Sequence, residues 1–129
     1  MIHLTKKCPV RRGSRVLVLE DSKDRIFHFK KSLIGCFVDC QTSVEGTLKL
    51  LQEEDWDYLF LDHDLDGQIY VPSGPGTGWA VAEWLSQNPD RTPENVIIHT
   101  LNDIAQYKMQ KLVRAAAVIP GAWFLIELT

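Results

Sequence analysis

Long apolar runs are missing from this chain. The longest, residues 115–120 and 122–126, are far too short to span a bilayer, so no membrane partner is expected. The opening stretch MIHLTKKCPVRRG lacks the apolar segment of a secretory signal, and a cytoplasmic location is expected. Cysteine is scarce, with only Cys8, Cys36 and Cys40. An odd number and no CxxC pair argue for free thiols and against a zinc site. Positive charge is not in excess either. A net charge of −3 excludes an extended nucleic-acid surface, although Lys6, Lys7, Arg11 and Arg12 cluster ahead of the first strong strand. Nor is there a Walker loop. Gly74, Gly76 and Gly78 permit close backbone approach, but no Gly-Lys-Ser/Thr follows them.

What is present is enough for one core. Hydrophobic residues make up 45% of 129 residues, the size and composition of a single folded domain rather than a disordered chain. Residues 1–14 read as an N-terminal extension and 15–129 as the domain. Arg15 to Glu20 is a Leu- and Val-rich run, the pattern of a strand buried on both faces. Ser22 is placed to cap a helix from about Lys23 to Leu33 that carries Ile26, Phe27, Phe29 and Leu33 and ends at Gly35. Cys36 to Gln41 reads as a second strand, with Cys36 and Cys40 on one face. Thr42 to Glu45 has the form of a capping box, opening a helix that buries Val44, Leu48 and Leu51. Trp56 to Leu61 is a third strand, and a loop rich in glycine and proline follows from Gly67 to Gly78. The next helix turns inward either Trp79, Ala82 and Leu85 or Val81 and Trp84. Val96 to Ile98 is a fourth strand. Asn102 or Asp103 caps a helix carrying Ile104, Tyr107, Met109, Leu112 and Val113, and the tail 117–129 holds a last strand.

Strands alternating with helices imply right-handed βαβ units and a doubly wound, parallel, five-stranded α/β sheet. Ligands of such sheets bind at the carboxyl ends of the strands. Those ends carry Glu20 and Asp21, then Asp62, His63 and Asp64, then His99 and Thr100. Four carboxylates converging on one rim repel one another. A hard divalent cation, Mg²⁺ foremost and Mn²⁺ as an alternative, would relieve that repulsion; the bland reading of Asp62 and Asp64 is as turn and cap residues. His63 and His99 add groups that exchange protons near neutral pH, or that simply bond to neighbouring backbone. Thr100 is suited to a phosphoryl oxygen or to capping the next turn. Asn102 reads first as a helix cap. The helix starting near Thr77 and Gly78 aims its N-terminal amides at an anion.

These residues resemble the receiver domain of bacterial response regulators, over roughly Arg15 to Pro120. Glu20-Asp21 look like that family's acidic pair, Asp62 like its phosphorylatable aspartate, and Asp64 like the position whose carbonyl completes the Mg²⁺ shell. Thr100 looks like the switch hydroxyl after the fourth strand, a place His99, one residue earlier, takes in the alternative register. Two departures stand out. Ile119 replaces the lysine expected ahead of Pro120, which speaks against ordinary phosphorelay signalling. Only residues 121–129 follow Pro120, too few for a full fifth helix. The exposed sheet face is then expected to be closed by the N-terminal extension or by a second subunit, and a homodimer is one expectation. Asp62-His63-Asp64-Leu65, Gly76-Thr77-Gly78-Trp79 and His99-Thr100-x-Asn102 resemble a divergent branch, the receivers associated with cyclic-phosphate processing and RNA repair. That resemblance implies a metal-dependent phosphoesterase acting on a nucleotide or RNA-end phosphate. Glu20, Asp21, Asp62 and Asp64 would hold the cation, His63, His99 and Asp62 would carry the chemistry, and Thr100, Asn102, Thr77 and Gly78 would contact phosphate. A non-enzymatic module phosphorylated on Asp62 is the alternative.

Overall fold

In the computed structural model, residues 7–65, 71–119 and 125–129 are described. The expectations for Lys6, for the start of the loop at Gly67 and for Pro120 lie outside them.

The chain forms a five-stranded parallel sheet. Its strands are β2 (Arg15–Leu19), β3 (Phe37–Gln41), β4 (Tyr58–Leu61), β5 (Asn95–Ile98) and β6 (Ala117–Val118), in the order β3-β2-β4-β5-β6. Four helices connect them: α1 (Lys23–Ser32), α2 (Val44–Glu53), α3 (Gly78–Gln87) and α4 (Asp103–Leu112). This is the expected doubly wound α/β fold. The central strands are apolar from Val16 to Leu19 in β2 and from Tyr58 to Leu61 in β4 because both faces are covered. Successive side chains point to opposite faces. Leu17, Leu19, Leu59, Leu61 and Ile98 therefore pack with Leu51, Val81, Leu85 and Met109 on one side, while Val16, Val18, Phe60 and Ile97 pack with Phe29 and Leu33 on the other.

Local signals place the helix ends. Ser22 accepts from the Arg25 amide at 3.4 Å and Gly35 adopts φ +106° beyond α1. The cap of α2 is Ser43, which accepts from Gly46 at 3.1 Å, so Thr42 does not open the capping box its sequence resembles. Helix α3 buries Val81, Ala82 and Leu85, with Trp79 and Trp84 packed at the edge, a face that combines the two expected alternatives. In α4 the buried stripe is Ala105, Met109 and Val113, at spacing i, i+4, i+8. Ile104 and Tyr107 face outward.

The tail gives the largest departure. Among the described residues no helix follows β6. Instead β7 (Leu125–Leu128) pairs in parallel with β1 (Lys7–Val10), Cys8 opposite Ile126 and Val10 opposite Leu128. Buried Cys8 and Val10, with Ile126 and Leu128, join the apolar cluster on the α1 side of the main sheet. Of the two expected covers for that face, the N-terminal extension supplies it, as half of a two-stranded ribbon. The three cysteines are free thiols. Cys36 and Cys40 pack on this same cluster, and burial pushes the Cys8 and Cys40 thiols up to about 11. No described helix is long and apolar enough to cross a membrane.

Candidate functional site

Strand register assembles the site. Leu19 pairs with Leu61 and Leu61 with Ile98. The next residues, Glu20, Asp62 and His99, are held side by side as the backbone ladder runs one step further, through Asp62 N–H to Leu19 O at 3.1 Å and His99 N–H to Leu61 O at 3.0 Å. Alternation of side chains sends all three to the α1 side, following Val18, Phe60 and Ile97. Their ligating atoms lie within 4.8 Å of one another and all three residues are buried. The His99 ring packs edge-on against Phe29, centroids 5.3 Å apart.

Glu20 is fully buried and heavily bonded. It accepts from the amides of Asp21 (3.0 Å) and Ser22 (3.1 Å), from Arg25 Nε (2.6 Å) and Nη2 (3.0 Å), and pairs with His99 Nε2 at 3.2 Å. Burial pushes its carboxyl up, but the bonds from His99 and Arg25 outweigh that and hold it far below the ordinary carboxylate range. Asp62 is placed differently. Its Oδ1 accepts from the His63 amide at 2.8 Å. Its Oδ2 lies 3.6 Å from Arg25 Nη2 and accepts no hydrogen bond among the described residues. Burial pushes Asp62 up to about 7; the charge of His99 opposes this, and the Glu20 carboxylate reinforces it. Asp21 is half-buried, and its charge acts on Arg25.

His63, one residue beyond Asp62, is turned to the opposite side of the sheet by the same alternation. The two histidines that the sequence reading joined as an acid–base pair have different partners, His99 bonding Glu20 and His63 bonding Asp64 and Ser73. The buried His63 ring bonds Asp64 Oδ1 through Nδ1 at 2.7 Å and Ser73 Oγ through Nε2 at 3.0 Å. The Asp64 carboxylate can only accept, so Nδ1 donates to it. Asn102 caps α4 through Ala105 N–H (3.1 Å) and donates to Asp64 Oδ1 (3.2 Å) and to Val71 O (3.1 Å). Together His63, Asp64 and Asn102 pin the loop at Val71 and Ser73. The Asp64 carboxylate and the Asn102 side-chain amide are thus both engaged within the protein.

The remaining candidates fall around these groups. Thr100 is buried, accepts from Asn102 N–H at 3.2 Å, and its carbonyl accepts from Gln106. Thr77 exchanges hydrogen bonds with Gly74 rather than capping α3 with its side chain. The Gly78 amide donates to His63 O at 3.0 Å, and a Cβ on Gly78 would collide with the Asp62 carbonyl. Gly78 therefore packs α3 against the end of β4, and its amide serves the protein rather than an anion. Arg25 is the member sequence reasoning missed. Its signal was its position, three residues after the Ser22 cap, on the first turn of the helix that leaves Glu20.

The donors suit a small cation. Two carboxylates and an imidazole converge, and one buried carboxylate oxygen has no hydrogen-bond donor among the described residues. Oxygen donors favour Mg²⁺, and the imidazole also accommodates Mn²⁺.

Residues 15–115 match the description of the cyclic-phosphate processing receiver domain. The chain belongs to that family. Solved structures show the same receiver fold. The chemotaxis protein CheY4 of Vibrio cholerae superposes with a TM-score of 0.67 at 15% identity, over 85% of this chain and 88% of that one. The receiver domain of a signal transduction histidine kinase from Syntrophus aciditrophicus gives 0.65 at 19% identity, over 83% and 77%. That of a putative Luxo repressor protein from Vibrio parahaemolyticus gives 0.61 at 22%, over 88% and 78%. No curated protein matches the chain.

Proposed function

We propose that this receiver domain is a phosphoesterase that opens or removes a cyclic or terminal phosphate on a nucleotide or RNA end, using a divalent cation. The convergence of Glu20, Asp62 and His99 within 4.8 Å, on a cyclic-phosphate processing receiver, carries the reading. Glu20 and Asp62 hold the ion, Mg²⁺ or Mn²⁺, and Asp21 reaches it from the rim. When bound, the ion supplies charge neutralisation at the phosphoryl group and a more acidic water. His99 exchanges a proton with the attacking or leaving oxygen. Thr100 donates its hydroxyl proton to a phosphoryl oxygen. His63, Asp64 and Asn102 act at one remove, by fixing the loop that borders the site. Incubation with 2′,3′-cyclic nucleotides and Mn²⁺ or Mg²⁺ tests this. Ring opening that disappears in Asp62→Asn and in His99→Gln supports it. Absence of turnover, or turnover indifferent to both substitutions, sinks it.

One observation favours a second reading, a signalling receiver phosphorylated on Asp62: the Oδ2 of that residue accepts no hydrogen bond among the described residues and is the atom an aspartyl phosphate would use. Acetyl phosphate separates the two. A persistent phosphoadduct, lost in Asp62→Asn, speaks for signalling. Rapid release of phosphate without an adduct speaks for hydrolysis.

A further inference from the structure

Arg25 crosses from the first turn of α1 into the acidic pocket. Its guanidinium grips Glu20 by two contacts and reaches to 3.6 Å from Asp62. The Arg25 side chain is 30% exposed, whereas those of Glu20 and Asp62 are 0% and 6% exposed. It therefore stands between the two carboxylates and solvent, over the oxygens a divalent ion would take. Among the described residues no other lysine or arginine pairs with either carboxylate. A guanidinium and a divalent ion repel strongly at contact distance in a pocket shielded from water, so they cannot share these oxygens. The displaced group has a nearby destination, because half-exposed Asp21 already acts on Arg25 electrostatically.

We propose that Arg25 is the resident counter-ion of the ligand-free pocket and the phosphate-binding side chain of the loaded one. The incoming ion replaces Arg25 on Glu20, and the planar, two-pronged guanidinium turns to a pair of phosphoryl oxygens, the geometry it matches best. No bond is made or broken; one set of charge-assisted hydrogen bonds is exchanged for another. The inference rests on the cation-and-phosphate reading of the pocket given above.

Calorimetry on the whole chain tests it, with Mn²⁺ alone and then with inorganic phosphate at saturating Mn²⁺. Arg25→Met is expected to bind Mn²⁺ about fivefold tighter or better, since an internal competitor is gone, and phosphate about tenfold more weakly, since a charge-assisted pair is lost. Arg25→Lys falls between on both counts. Opposite shifts from one substitution cannot come from general damage to the fold. Equal or weaker Mn²⁺ binding by Arg25→Met overturns the counter-ion role, and unchanged phosphate affinity overturns the phosphate role. If neither the wild type nor Arg25→Met binds Mn²⁺, the cation reading falls as well. Equal Mn²⁺ binding by both removes only the role of Arg25. Should Arg25→Met fail to fold, Arg25→Gln, which still donates to Glu20 without charge, carries the same expectations.

Discussion

Arg25 and Glu20 are joined by two contacts, Nε to Oε1 at 2.6 Å and Nη2 to Oε2 at 3.0 Å, and only the arginine touches solvent. The pair is lopsided in what its loss would cost. A guanidinium freed at the surface is rehydrated, while a carboxylate left in the interior is not. Arg25→Met is therefore expected to destabilise the domain by roughly 2–4 kcal/mol without added ion. Glu20→Gln is expected to cost clearly less, and the double variant less than Arg25→Met alone. Urea denaturation at pH 7 and low divalent concentration gives all three values. If the two single variants lose the same amount, Glu20 is not the buried, dependent partner described here.

Asp62 sets the pH dependence in the opposite sense from a salt-bridged acid. Its folded pKa, about 7, lies above the ordinary value of 3.8. A raised carboxyl contributes stability that is complete below about 3.8 and is lost progressively as pH climbs to about 7, because the unfolded chain ionises first. Asp62→Asn removes that loss. It is expected to stabilise the ion-free domain by roughly 1–4 kcal/mol at pH 8 and by less at pH 5. Added Mn²⁺ is expected to raise the melting temperature of the wild type more at pH 8 than at pH 5.5, since the ion requires the ionised carboxylate. Melting curves of both proteins at the two pH values provide the check. A gain from Asp62→Asn that is larger at pH 5 contradicts the assigned shift.

The sheet and the strand ends that carry the site were legible in the sequence because apolar runs and turn residues punctuate it in simple order. The division between His63 and His99 was also within reach. Counting alternate residues past the ends of β4 and β5 puts Asp62 and His99 with Phe60 and Ile97, and puts His63 with Leu59 and Leu61. Grouping residues by which strand end they occupy, without that parity, merged two separate clusters. Arg25 was hidden for another reason. A helix-borne arginine reads as a solvated charge unless the buried acid beneath it is already known. The outer face of α4 shows a similar limit. Ile104 and Tyr107 are as apolar as the residues that do face inward, and only the spacing of Ala105, Met109 and Val113 chooses between the stripes. The ribbon of β1 with β7 depends on two segments more than a hundred residues apart, and no local pattern announces such a pairing.

Gly78 supports the site through what it lacks. A methyl group there would meet the Asp62 carbonyl oxygen and the His63 backbone, and both belong to the main chain that positions the pocket. Backbone cannot yield as a flexible side chain can. Gly78→Ala is therefore expected to cost about 1–3 kcal/mol through overpacking, even though alanine is the better helix former. It is also expected to weaken Mn²⁺ binding by shifting Asp62. Thermal melts and calorimetry on the same sample measure both. A Gly78→Ala protein as stable as the wild type would show that α3 does not press on the end of β4.

The β1–β7 ribbon makes the last claim testable, that the N-terminal segment closes a sheet face instead of a fifth helix. Val10 is fully buried in the cluster with Val16, Val18, Phe29 and Phe60, and it pairs with Leu128 across the ribbon. Val10→Ala deletes two buried methyl groups, worth roughly 1.5–3 kcal/mol once the residual cavity is included. Val10→Asp buries an unpaired charge and is expected to detach the ribbon altogether. The uncovered face would then bind a hydrophobic dye such as ANS. Hydrogen exchange resolves the change by position, with fast exchange expected in β7 and slow exchange retained in β2 and β4, whose ladder is independent of the ribbon. If Val10→Asp leaves the β7 amides protected and the dye unbound, the segment lies on the surface without covering it.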